Sequence, residues 1–219
     1  PKPAISFGTK SYDTKDGTKE YPVPLGTYGN FSFVQAPPKS KKTFFVSLLS
    51  AIYLAENLES FCGDLKANSN NKNLIHFDTE QGNFHAQMVF KRPLDMTGLK
   101  TNKYHTLALR QLSFKERVDF IEYYLYDKLE AKNIGLVIID GIADLCSDVN
   151  NIEESNAVVQ KLMKWSKELD CHIVTVIHSN FGSDKPTGHL GSFLEKKAET
   201  QIQLELNTIN KGLVTVSCK

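Results

Sequence analysis

From residue 31 onward the chain alternates short apolar runs of strand length with longer segments of helical period. The runs are residues 31–35, 74–77, 106–109, 136–139 and 173–177, and such runs suit parallel strands covered on both faces. The segments between them read as helices. Residues 43–58 are apolar almost all round, as befits a helix buried against a sheet. Ser113 and Glu116 form a capping-box pair, after which Val118, Ile121, Leu125 and Leu129 recur at spacings of three and four. Val158, Leu162, Trp165 and Leu169 repeat that pattern. Strand followed by helix requires crossover connections, so the expected class is α/β, a mainly parallel central sheet flanked by helices. Past Ala198 the period changes. Ile202, Leu204 and Leu206 alternate, Asn210-Lys-Gly212 turns the chain, and residues 213–217 return as a closing C-terminal β-hairpin. Residues 1–30 are rich in Lys, Gly, Thr, Pro and Tyr without a sustained period, and read as an arm or linker leading into one domain over residues 31–219.

Composition narrows what such a domain can do. With 219 residues, 41% hydrophobic and 23% charged, the chain is globular rather than disordered or collagen-like. Its net charge of +1 supplies no global field, so any contact with nucleic acid has to be local. Cys62, Cys146, Cys171 and Cys218 contain no C-x-x-C pair and the histidines show no metal-ligand spacing, which predicts a reduced, cytoplasmic protein. Residues 44–55, the longest apolar stretch, are too short to span a membrane. The chain opens on Pro1 and closes on Lys219 after a strand-like run, and reads as a piece truncated at its C-terminal end.

The chemistry concentrates at the C-terminal ends of the expected strands. Ala36-Pro-Pro-Lys-Ser-Lys-Lys-Thr43 fits [A/G]-x-x-x-x-G-K-[S/T] except that Lys41 stands in the glycine slot. A phosphate-binding loop needs backbone N–H groups around phosphate oxygens, a lysine for the β and γ phosphates, a hydroxyl for Mg²⁺ and a helix N-terminus aimed at the anion. Ala36, Pro37, Pro38, Lys39, Ser40, Lys41, Lys42, Thr43 and Phe44 are therefore the candidate nucleotide-binding segment, against the plainer reading of a lysine-rich turn. Leu136-Val-Ile-Ile-Asp140 has the form of a strand whose terminal carboxylate serves Mg²⁺, which makes Thr43 and Asp140 the candidate metal residues. Gly141 follows, so no second carboxylate adjoins Asp140 and a catalytic base must come from elsewhere. Glu80, just past the strand at 74–77, is the favoured base, with Asp78 and Asp144 as rivals and helix capping as the plain alternative. His178, at the end of another strand, is either a γ-phosphate sensor or a satisfied structural histidine.

These segments, together with Ala36 to Thr43, Glu80, Asp140 to Leu145 and His178-Ser-Asn followed by Gly188-His-Leu-Gly-Ser192, resemble the RecA-like P-loop ATPases. The resemblance is to the branch of hexameric replicative helicases and plasmid or phage helicase-primase ATPases, and the lysine in the glycine slot is similar to ATPases of Bacteroidetes mobile elements. It implies ATP and Mg²⁺ as cofactors, with Lys42, Glu80 and His178 as catalytic residues. It also implies a strand ending at His178 between the strands of the P-loop and of Asp140. Two loops, 144–154 and 181–191, would contact single-stranded DNA through Asp148, Asn150, Lys185, Gly188 and His189. The implied activity is that of a DNA-acting ATPase, the motor of a replication or mobilisation helicase; the competing expectation is a nucleotide-binding regulatory or scaffold module with weak hydrolysis. The family's trans arginine would fall beyond Lys219, so the full protein is expected to be a homo-oligomer, a hexamer, and this piece mainly monomeric and slow.

Overall fold

The computed structural model describes residues 3–55, 63–130, 133–180, 185–207, 209–210 and 212–219. Its strands are β1 (Pro3–Thr14), β2 (Gly17–Thr27), β3 (Phe31–Ala36), β4 (Leu65–Ala67), β5 (Asn73–Asp78), β6 (Tyr104–Ala108), β7 (Ile134–Asp140), β8 (His172–His178), β9 (Gln201–Leu206) and β10 (Val214–Cys218). Its α-helices are α1 (Lys42–Leu54), α2 (Asn83–Thr97), α3 (Phe114–Tyr123), α4 (Ile152–Glu168) and α5 (Gly188–Lys197). Seven strands form one sheet in the order β10-β9-β3-β8-β7-β5-β6. All pairings in it are parallel except β9 with β10, which is the closing hairpin. The strand ending at His178 does lie between those of the P-loop and Asp140.

Alternation along the central strands builds two cores. Phe33, Phe77, Ile139 and Ile173 face one side with Ile121, Leu162 and Trp165. Val34, Leu74, Ile138 and Val174 face the other with Val46, Leu49 and Tyr53 of α1. Coverage on both faces is why these strands read as continuous apolar runs.

Three local differences from the sequence reading have physical causes. Helix α1 starts at Lys42 and ends at Leu54, and the expected continuation to residue 58 lies outside the described residues. The Ser113 capping box forms, but α3 passes into a π-type turn at Tyr124–Lys128, and Leu129 leaves the helix with φ −116° and ψ 151°. Residues 1–30, expected as an arm or linker, contain a long antiparallel hairpin, β1 with β2, whose base is joined by β4 at Ile5, Ser6 and Phe7. Every residue from Thr9 to Pro24 is exposed, so no buried face imprinted a period of two on the sequence.

His76, on β5, is fully buried with Nδ1 3.0 Å from Tyr104 Oη, and burial pushes its pKa down to about 3. Because the unfolded imidazole binds its proton near pH 6.5, stability contributed by the neutral form is complete above that pH. It should fall as pH drops toward 3, at up to about 1.4 kcal/mol per pH unit. Chemical denaturation of His76→Gln between pH 7 and pH 4 should show a shallower loss than the parent chain.

Candidate active site

Strand register assembles the site. Ala36 pairs opposite His178, and Asp78 opposite Asp140, which in turn pairs with Val176. Residues paired in a parallel sheet share a face, so Ala36, His178, Asp140 and Asp78 all emerge on the α1 side at the C-terminal rim.

Between β3 and α1 the chain folds back on itself: Ser40 N and Ser40 Oγ donate to Pro37 O at 3.3 and 2.6 Å. Lys39 and Lys41 both adopt left-handed backbone, with φ 62° and 63°. Lys41 thus takes the conformation for which glycine is ordinarily chosen, and its Nζ leaves the loop to donate to Gly212 O, 3.1 Å away in the closing hairpin. Helix α1 has no side-chain cap and no acidic residue in its first turn. Phe44 N and Phe45 N donate to Lys41 O at 3.0 and 3.2 Å, and the N–H groups of Lys42 and Thr43 ahead of them have no intrahelical acceptor, as at an anion-binding helix start.

Lys42 is only 7% exposed. Its Nζ donates to Pro37 O at 3.3 Å and to His178 Nδ1 at 3.0 Å. An ammonium has no acceptor, so Nδ1 accepts and the ring hydrogen sits on Nε2, which stands 3.5 Å from Glu80 Oε1. Lys42, His178 and Glu80 therefore form one chain. Burial lowers the Lys42 pKa, opposed by the charges of Glu80 and Asp140. The hydrogen bond from His178 lowers that of Glu80, against the effect of burial.

Asp140 is 3% exposed, and its pKa is pushed up to about 8 by burial and then by the charges of Asp78 and Glu80. A cation would relieve that penalty, which suits Asp140 to a divalent ion; Thr43, in the first turn of α1, lines the same cleft as Lys42 and Glu80. Among the described residues no cluster of three His, Cys, Asp or Glu side chains could hold a metal alone. Gly141 has φ 103°, and a Cβ there would run into Thr79 Oγ1 and approach Glu80 Cγ to 2.7 Å. The place that a side chain after Asp140 would need is filled by Thr79 and Glu80, both delivered from the end of β5. Both rivals of Glu80 are engaged in holding the rim. Asp78 Oδ1 accepts from Glu80 N and Gln81 N at 3.0 and 2.8 Å, and Asp144 Oδ2 lies 2.9 Å from Thr79 Oγ1.

A cleft of about 430 Å³ opens over the loop and continues between α1 and α2. Phe44 is 57% exposed at its edge, with the Arg92 guanidinium 4.0 Å from its ring centroid and Arg92 Nη1 3.1 Å from Ser47 Oγ. His85, Met88 and Arg92 of α2 are not singled out by the sequence, because the buried face of α2 is only Ala86, Val89 and Pro93, and Pro93 argues against a helix there.

The two expected loops meet. Leu190 N donates to Val149 O at 3.1 Å, and a Cβ on Gly188 would press against Val149 O. Both loops are shorter than expected, because α4 begins at Ile152 and α5 at Gly188, which places Gly188 and His189 in a helical first turn. Residues 181–184 lie outside the described residues. Asp148, Asn150, Lys185 and His189 are exposed, and Asp148 Oδ1 accepts from Asn150 N at 2.8 Å. This surface is wired to the site: His178 O accepts from Thr187 N at 3.0 Å and from Thr187 Oγ1 at 2.8 Å.

Residues 23–184 match the model of a family described as AAA domain, and the chain belongs to that family. Among solved structures it is similar to the RadB recombinase, at 15% identity and TM-score 0.55 over 88% of this chain and 81% of that one. It is likewise similar to the flagellar accessory protein FlaH from Methanocaldococcus jannaschii, at 12% identity and TM-score 0.56 over 88% of this chain and 78% of that one. The fold is RecA-like and the domain is of the P-loop ATPase class. No curated protein matches the sequence. Among the described residues no helix is long and apolar enough to cross a membrane.

Left-handed backbone costs a side chain roughly 1–2 kcal/mol, whereas glycine is free of it. Lys41→Gly should therefore raise unfolding stability by about 1 kcal/mol in denaturant titrations, despite loss of the exposed bond to Gly212 O.

Proposed function

We propose that this chain is an Mg²⁺-dependent, ATP-hydrolysing motor domain that works on DNA, as part of a replication or mobilisation helicase. The observation that carries the reading is the Lys42 ammonium, buried at the start of α1 and held by two neutral acceptors. None of the ion pairs among the described residues involves it. A buried cation of this kind gains most from an anion, and the β and γ phosphates of ATP supply one beside open helix N–H groups.

In the proposed complex residues 36–44 cradle the phosphates, and Phe44 borders the remainder of the nucleotide. Thr43 and Asp140 would hold Mg²⁺, which supplies charge neutralisation at the phosphates. Glu80 orients a water molecule for in-line attack and takes its proton. His178 changes partner when Lys42 turns to phosphate, and its carbonyl carries that change to Thr187 and the surface of Lys185 and His189. Those two residues suit phosphates of a DNA strand, while Asp148 in the same surface is spent on its own turn. Assembly as a homo-oligomer would provide a trans cation. Arg92 is bound within its own chain, as is Arg117, whose Nη1 donates to Asp144 O at 2.8 Å. Arg110 is exposed and, among the described residues, its side chain makes no hydrogen bond.

Steady-state phosphate release, measured with and without single-stranded DNA, tests the motor reading against a weakly hydrolysing regulatory module. Lys42→Ala should abolish ATP binding. Glu80→Gln should keep binding and lower turnover by roughly 10² or more. Normal turnover in Glu80→Gln would move the base to another carboxylate, and turnover indifferent to DNA would favour the regulatory module.

A further inference from the structure

The β1–β2 ribbon carries chemistry that the ATPase site does not use. Only its base is built into the molecule, where β4 pairs at Ile5, Ser6 and Phe7 and where Thr27 N and Oγ1 each donate to the Glu199 carboxylate at 2.8 Å. The family match begins at residue 23, so nearly all of the ribbon lies outside it.

Register sorts its side chains by charge. Lys10 pairs opposite Tyr21 and Tyr12 opposite Lys19, so these four share one face. Ser11 pairs opposite Glu20 and Asp13 opposite Thr18, which puts both strand carboxylates on the other face. There they accept hydrogen bonds, Glu20 from Thr9 Oγ1 at 3.5 Å and Asp13 from Thr18 Oγ1 at 2.9 Å. On the first face Lys10 Nζ stands 5.5 Å from the Tyr12 ring centroid, and the Tyr12 and Tyr21 centroids are 5.9 Å apart, edge to face. The ring pair staples the ribbon, yet Tyr12 and Tyr21 remain 49% and 48% exposed. The remaining acid near this face is Asp16 in the turn, 3.7 Å from Lys19 Nζ in a pair that is 81% and 50% exposed and therefore weak.

We propose that the Lys10, Tyr12, Lys19 and Tyr21 face of the ribbon binds single-stranded nucleic acid, the lysines meeting phosphates and the rings taking unpaired bases. The chemistry favours a single strand because stacking requires bases that are not already paired, and two lysines alone give a duplex little reason to bind. The net charge of +1 is no obstacle, since the two strand carboxylates, Asp13 and Glu20, lie on the opposite face and only Asp16 of the turn stands near Lys19. The inference rests on the reading that the chain acts on nucleic acid, but places the contact on β1 and β2, elements separate from the loops around Lys185.

The test is fluorescence anisotropy with a labelled oligothymidylate, run over a series of salt concentrations on four proteins: the parent chain, Lys10→Glu with Lys19→Glu, Tyr12→Ala with Tyr21→Ala, and Lys185→Ala. The lysine pair should weaken binding tenfold or more and make the log–log salt slope shallower by about 0.7 per lysine. The tyrosine pair should weaken it about tenfold per ring with the slope unchanged. ATP affinity should be unchanged in both, which also reports that the domain is folded. Ribbon variants that bind like the parent while Lys185→Ala loses affinity would overturn this inference and leave the DNA-motor reading standing. Loss in the ribbon variants alone would support the ribbon and remove the loop surface. No binding by the parent chain at low salt would overturn both. A change in molecular mass by light scattering, with oligonucleotide affinity intact, would assign the ribbon to a second copy of the chain instead.

Discussion

The Lys42 ammonium sits in a nearly closed setting with two neutral acceptors, Pro37 O and His178 Nδ1, and the arrangement around it follows from that placement. Burial lowers its pKa, and the charges of Glu80 and Asp140 oppose that shift. Those carboxylates are themselves in tension. Asp140 is pushed up to about 8 by burial first, and further because it shares the rim with Asp78 and Glu80. Positive charge from Lys42 lowers the cost of Glu80 and Asp140, and a metal at the rim would do the same. A site with one buried cation and several close carboxylates is electrostatically unfinished, and a metal–nucleotide complex brings both signs of charge it can use.

Strand order makes this possible. β8 lies between β3 and β7, so the His178 ring is interposed between the P-loop lysine and Glu80, which reaches over from β5. Gly141 is the necessary complement, since any side chain there would take the volume occupied by Thr79 and Glu80. The same β8 terminus anchors Thr187 through its carbonyl, so a change of partner at the imidazole and a change at the outer surface share one residue. In the proposed function, that shared residue would couple nucleotide state to the surface of Lys185 and His189.

Much of the sheet was legible because strands buried on both faces leave unbroken apolar runs, as at 136–139 and 173–177. Helices α1, α3 and α4 were legible from a dense apolar pattern, a capping box and a repeat of Val158, Leu162 and Trp165. Helix α2 was not, since only Ala86, Val89 and Pro93 of its residues are buried, and with it went the wall formed by His85, Met88 and Arg92. The ribbon was hidden for the opposite reason, having no buried face beyond its base. At the site, motif spacing led to Lys42, Asp140 and His178. It could not show that Lys41 takes left-handed backbone, nor that Gly141 is small to admit Glu80, because both depend on contacts between segments distant in sequence.

In the proposed function Lys42 is held by His178 ready for the phosphates of a nucleotide. A structure with Mg²⁺ and a non-hydrolysable ATP analogue tests it most directly. The β and γ phosphates should lie over the start of α1, with Lys42 Nζ moved from His178 Nδ1 onto phosphate oxygen and Asp140 facing the metal. A nucleotide bound elsewhere, or phosphates seated with Lys42 still on His178, would contradict it.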